Sequence, residues 1–164
     1  MRYVLDNTGT SFTALTKELE YIKTYLSIQQ LRFGDRVNYT LQVDEDLDTD
    51  SCKILPLLLQ PVVENAILHG LESKTQDGMI TIQIASVDTV LLITIKDNGQ
   101  GMTNEELDAL RDRIRKHPSS DTHSIGLYNI NQRISLFYGE GYYMEIDSAI
   151  GAGTTVRLKI PKTI

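Results

Sequence analysis

The stretch Asp97-Asn98-Gly99-Gln100-Gly101-Met102 directly follows the apolar run Val90-Leu91-Leu92-Ile93-Thr94-Ile95. That run reads as a buried strand. An acidic residue at its end, then two glycines one residue apart, makes a tight turn that lets a ligand approach the backbone. The carboxylate of Asp97 can accept a hydrogen bond from an amino group that an apolar wall could not hold. Asp-Asn-Gly also opens ordinary hairpins, so a ligand-facing turn and a plain hairpin stand as alternatives on these residues alone.

Three further segments carry polar groups in unusual places. In Gln60-Pro61-Val62-Val63-Glu64-Asn65-Ala66-Ile67-Leu68-His69-Gly70, the residues Glu64, Asn65 and His69 interrupt an apolar helix. Asn65 and His69 are four apart and share a face. An amide oxygen suits Mg²⁺, which keeps most of its waters and needs few protein ligands. Glu64 is a candidate catalytic carboxylate or simply a polar edge, and His69 is a candidate ligand contact or a cation at the helix C-terminus. In His123-Ser124-Ile125-Gly126-Leu127 through Arg133, a glycine opens a helix, and free N–H groups at such an end bind phosphate. Arg133 meets either a phosphate or a surface carboxylate. The last segment, Gly151-Ala152-Gly153-Thr154, precedes a strand and is otherwise a bulged hairpin.

The elements that must position these groups follow from periodicity. Leu15, Leu19, Ile22, Leu26 and Ile28 predict a helix from about Thr13 to Phe33, stopped by Gly34. Val37, Tyr39, Leu41 and Val43 alternate as a strand. Leu55 to Leu71 reads as one long helix, with Pro56 in its first turn and a kink at Pro61. Met79–Ser86 and Val90–Lys96 read as paired strands. Thr103 caps a helix over 104–115, with Glu106 completing a capping box. Residues 116–124 are polar and read as structureless. Ile125 to Tyr138 is helical, and 142–148 and 154–160 are the last strands. The order predicts an α+β fold: a two-layer sandwich with a mixed, mostly antiparallel sheet and helices on one face.

With 164 residues, 41% of them apolar and 23% charged, the chain has the composition of one globular domain. A formal net charge of −6 gives no footprint for nucleic acid. No apolar stretch is long enough to span a bilayer, and the single cysteine, Cys52, excludes an internal disulfide.

In order and content, the four polar segments resemble the N box and the three glycine boxes of the ATP-binding domain shared by sensor histidine kinases, type II topoisomerases, Hsp90 and MutL, over roughly residues 50–162. The leader Glu18-Leu19-Glu20-Tyr21-Ile22 through Gln29-Gln30-Leu31-Arg32-Phe33-Gly34-Asp35-Arg36, followed by Leu55-Pro56-Leu57-Leu58-Leu59-Gln60-Pro61, is similar to the LytS/YehU-type sensor histidine kinases.

This resemblance implies a domain that binds ATP and Mg²⁺ and transfers the γ-phosphoryl to a histidine outside this chain. It implies that Glu64 and Asn65 are catalytic and that Asn65 holds the metal. His69, Asp97, Gly99, Gly101, Met102, Gly126, Leu127 and Thr154 would contact the nucleotide. Asp97 would accept the adenine amino hydrogen, with Thr154 supporting it through a water, and residues 116–124 would form a lid. Residues 1–12 would be the end of the upstream dimerisation and phosphoacceptor helix, and 13–164 the catalytic domain. The implied partners are those upstream helices within a full-length dimer and a response regulator. The implied location is the cytoplasmic side of a membrane-anchored bacterial receptor, with no membrane contact by this domain. Three positions depart from the family pattern: Pro61, Leu68 and Ser124. They leave room for a non-catalytic nucleotide-sensing module, while an ATPase of the Hsp90 kind or an anti-sigma serine kinase is the other alternative.

Overall fold

The computed structural model describes residues 12–71, 74–116 and 122–162. In chain order the elements are β1 (Thr13–Ala14), α1 (Leu15–Phe33), β2 (Val37–Val43), β3 (Lys53–Ile54) and α2 (Gln60–Asn65), which continues as a wider π-helical turn over Ala66–Leu71. Then follow β4 (Gly78–Val87), β5 (Val90–Asp97), α3 (Asn104–Lys116), α4 (Thr122–Tyr138), β6 (Tyr143–Ala149) and β7 (Gly153–Pro161). The five long strands form one sheet in the order β2-β4-β5-β7-β6. β2 runs parallel to β4, and the other pairings are antiparallel. The parallel pair is possible because α2 lies on the connection between its strands.

Period-2 burial puts one face of this sheet against the helices. Ile80, Ile82 and Ile84, then Leu91, Ile93 and Ile95, then Val156, Leu158 and Ile160 are buried, and the residues between them are more exposed. Leu19, Ile22 and Leu26 of α1 and Leu127, Ile130 and Ile134 of α4 complete the same apolar cluster. The fold is therefore the two-layer α+β arrangement expected from the sequence. Gly34 ends α1 at a φ of 60°, and its N–H bonds back to the Gln30 carbonyl. The capping box of α3 is reciprocal: Thr103 N–H donates to Glu106 Oε2 at 2.8 Å, and Glu106 N–H to Thr103 Oγ1 at 3.1 Å.

Two expectations need correction. The long helix over Leu55–Leu71 does not exist as one element. Residues 56–59 are turn, Leu57 has a φ of 55°, and the helix begins at Gln60. Pro61 thus sits in the first turn, where its missing N–H costs nothing, and does not kink an interior. The cause is distant in sequence: buried Glu18 of α1 accepts the N–H groups of Leu57 (2.7 Å), Leu58 (3.2 Å) and Leu59 (3.3 Å). This carboxylate satisfies the donors that an earlier helix start would have left to solvent. Residues 116–124 are not wholly structureless either. Lys116 closes α3 and Thr122 opens α4, while 117–121 lie outside the described residues, as do 1–11 of the expected upstream segment.

Candidate nucleotide site

Odd-numbered residues of β5 face the helices, so Asp97, two positions after Ile95, ends the strand with a carboxylate on the core side. It is only 4% exposed. Its Oδ1 accepts the N–H of Gly99 at 2.8 Å and the N–H of Thr154 at 3.2 Å. Burial pushes the Asp97 carboxyl above the ordinary carboxylate range, while those two N–H groups and Lys74 pull it back. The group is thus a buried acceptor held from its own turn and from the start of β7, with both bonds falling on one oxygen.

Packing around this carboxylate explains two glycines. A Cβ on Gly70 would lie 2.6 Å from the Asp97 carboxyl group, and one on Gly99 would lie 2.0 Å from the Gly70 carbonyl oxygen. Only bare backbone lets the end of the helix that begins as α2 and the Asp97 turn meet this closely. The wide π-helical turn over 66–71 occurs at this same junction.

Asp97 opens into a cavity of about 420 Å³ between α2, α3, α4 and the sheet. Among the residues predicted from sequence, Asn65, His69, Asp97, Gly101, Met102, Leu127 and Thr154 line it. Gly99 stands behind the wall against Gly70. Gly126 stands behind it too, because its Cβ position faces Pro61 at 3.4 Å. Since α4 begins at Thr122, Gly126 lies in its second turn, where the N–H is used within the helix; the free N–H groups belong to 122–124. The expected phosphate role for the Gly126 amide is corrected accordingly.

Other site residues also depart from expectation. Glu64 is not on the cavity wall. Its Oε1 accepts Gln60 Nε2 at 2.7 Å, and its charge helps to raise Tyr25, whose main shift comes from burial. Arg133 does not line the cavity; it donates to the carbonyls of Pro56 (2.6 Å) and Leu57 (3.4 Å). Thr154 supports Asp97 directly through its backbone N–H, whereas its hydroxyl lies 2.9 Å from Ser148 Oγ. Most of the expected lid falls outside the described residues.

Sequence reasoning missed the apolar walls, Val62, Ile95, Leu110, Ile146 and Val156, and the charged side chains Glu106 and Arg113 of α3. The walls carry only the signal of any core residue. Glu106 and Arg113 face the cavity because α3 is laid along it. A wider groove of about 780 Å³ between α3 and β6 is lined by charged residues such as Asp108, Arg111 and Glu145. None of the predicted site residues lines it, so the smaller cavity is the candidate site.

The cavity wall carries one buried carboxylate acceptor, Asp97, and elsewhere an amide, an imidazole and a guanidinium. Such a site can read an amino-bearing ring at one end and hold a phosphate chain at the other. Among the described residues no three His, Cys, Asp or Glu side chains come together as a metal cage. A Mg²⁺ ion here would take most of its ligands from phosphate and water, which suits the single amide of Asn65.

Residues 54–164 match the family model for histidine kinase-, DNA gyrase B- and HSP90-like ATPases, and residues 1–37 match a histidine kinase model. The sensor protein LytS of Oceanobacillus iheyensis is 37% identical over 98% of this chain and 27% of its own length. Sensor histidine kinase YesM of Bacillus subtilis is 36% identical over 90% of this chain and 23% of its own. The chain thus spans about a quarter of the length of these curated relatives. Among solved structures, the catalytic domain of histidine kinase ThkA aligns with a TM-score of 0.69 at 13% identity, covering 96% of this chain and 100% of that one. The mycobacterial sensor histidine kinase MprB aligns with 0.63 at 17%, covering 94% and 98%. At these identities the two structures attest the fold. Because the first family match takes in more than half of the sequence, the chain belongs to the histidine kinase-, DNA gyrase B- and HSP90-like ATPases, as an ATP-binding domain of the sensor histidine kinase kind.

Proposed function

We propose that this chain binds Mg-ATP and acts as the catalytic domain that delivers the γ-phosphoryl to a histidine imidazole outside it. The observation that carries the reading is Asp97, a buried carboxylate on the cavity wall with Oδ1 held by two backbone N–H groups. In this reading Oδ2 accepts the 6-amino group of adenine. Gly99, Gly101 and Met102 shape the wall beside the base, and Leu127 closes the cavity from α4. Asn65 holds the metal ion, which neutralises phosphate charge when bound. His69 and Arg113 face the phosphates, and Arg113 supplies a cation that Leu68 does not.

Phosphoryl transfer depends on positioning and charge more than on covalent help from the protein. The domain therefore needs to bind, orient and exclude water, while the nucleophile arrives from elsewhere. Glu64, turned toward Gln60, steadies the helix beside Asn65 and does not reach the reacting atoms. The accepting histidine would lie on upstream helices of the full-length dimer. The phosphoryl would then pass to a response regulator, and the whole protein would be anchored in a membrane. Among the described residues no helix is long and apolar enough to cross a membrane.

Calorimetry with ATP tests the reading. GTP presents a carbonyl where adenine presents its amino group, so it should bind far more weakly. Asp97→Asn should weaken ATP binding by ~1.5–3 kcal/mol, the scale of a hydrogen bond to a charged group. Equal ATP affinity in the two proteins would sink the assignment.

A further inference from the structure

We propose that Ser148, which does not line the cavity, is a positioning residue for base recognition: its hydroxyl locks the Gly101–Met102 loop to the start of β7 at Gly153–Thr154 and so sets both sides of the Asp97 subsite. The proposal rests on reading the cavity as an adenine site.

A serine hydroxyl has one proton to give and two positions at which to accept. Met102 N–H donates to Ser148 Oγ at 3.0 Å. The Gly153 carbonyl, 2.9 Å from Oγ, can only accept, so it takes the serine proton. Thr154 Oγ1, also 2.9 Å away, must then donate to Ser148. All three capacities of one hydroxyl are filled, and the partners belong to two segments that border Asp97, the loop before α3 and the start of β7. Met102 and Thr154 line the cavity, and Thr154 N–H reaches Asp97 Oδ1. A backbone bond from Gly151 N–H to the Gln100 carbonyl, 2.7 Å, already holds this loop to the turn between β6 and β7. The hydroxyl adds their register: it fixes where Met102 stands relative to Thr154, and it turns the Thr154 proton away from Asp97. Loss of the hydroxyl would leave Met102 N–H and Gly153 C=O without that partner and would free the Thr154 proton.

The experiment compares the wild-type chain with Ser148→Ala, Ser148→Thr and Asp97→Asn, using adenosine and a non-hydrolysable ATP analogue with and without Mg²⁺. Ser148→Ala should weaken adenosine binding roughly tenfold, the equivalent of about one net hydrogen bond. It should also speed hydrogen exchange at the Met102 amide. The factor by which Mg²⁺ strengthens binding of the analogue should stay unchanged, because Asn65 sits on α2, away from this junction. Ser148→Thr keeps the hydroxyl and should restore adenosine affinity and Met102 protection. Wild-type adenosine affinity in Ser148→Ala overturns the proposal. So does a loss that Ser148→Thr fails to rescue and that also removes the Mg²⁺ effect, since this is general loosening. If adenosine does not bind the wild type, or binds Asp97→Asn equally, the adenine reading falls and this inference with it. A weakened Asp97→Asn beside an unaffected Ser148→Ala defeats this inference alone.

Discussion

Asp97 makes a demand on stability that the proposed ligand role would explain. Its pKa is raised in the folded protein, with burial as the main cause. A group raised in this way favours folding most below its unfolded pKa, where both states are protonated, and that contribution is lost as pH rises through the folded value. Ionised Asp97 therefore costs stability at neutral pH. Asp97→Asn keeps an acceptor for Gly99 and Thr154 without the charge. Urea unfolding should find the variant at least as stable as wild type at pH 7, with the difference shrinking as pH falls. A gap that widens toward acid would contradict the burial account. Asn65 carries a separate prediction. Asn65→Ala should leave adenosine binding almost unchanged and remove the gain from adding Mg²⁺. If Mg²⁺ strengthens ATP binding equally in both proteins, Asn65 only supports the helix.

Among the elements, α2 depends most on its neighbours. It is short, its last turn is widened, and its start is set by Glu18 of α1. Glu18→Ala would leave three backbone N–H groups without their carboxylate, and a loss of ~2–4 kcal/mol is expected from the cost of unmade charged hydrogen bonds. Because α2 carries Asn65, Mg-ATP affinity should fall as well. A urea midpoint within error of wild type would remove Glu18 from this role. α3 offers a milder contrast. Its capping box is local and half exposed, so Thr103→Ala should cost only about 1 kcal/mol. Arg111 ties the same helix to the sheet edge by donating to the Ile146 carbonyl at 2.7 and 3.1 Å, and this keeps one cavity wall in place even when the cap is weakened.

For the molecule as a whole, binding and group transfer should separate. Phosphoryl transfer needs a nucleophile in line with the γ-phosphorus. Among the described residues His69 is the histidine on the cavity wall, at the end of the helix that carries Asn65, and in the proposed reading it would stabilise phosphate charge from the side. Incubated with γ-labelled ATP, this chain should bind nucleotide and acquire no acid-labile label. Adding the upstream helical region in trans should produce label on a histidine of the added piece. Acid-labile label on the chain itself, abolished by His69→Gln, would overturn this division of labour.

What was legible in the sequence was local. The alternation through Ile93 and Ile95 already places Asp97 on the buried face, the paired glycines mark close backbone approach, and the Thr103 and Glu106 spacing writes a cap. These features depend on neighbours within a few residues, so strand and helix periods reveal them. What the tertiary structure decided was long-range. Glu18 holds backbone groups 39 to 41 residues away at a helix start, Arg133 holds the carbonyls before that helix, and Ser148 joins the Gly101–Met102 loop to the start of β7. No period or spacing encodes such bonds, because each joins a polar side chain to backbone groups that only the packed fold brings within reach. For the same reason Pro61 read as a kink: its place in a first turn depends on where the helix starts, and that start is set by a carboxylate on another helix.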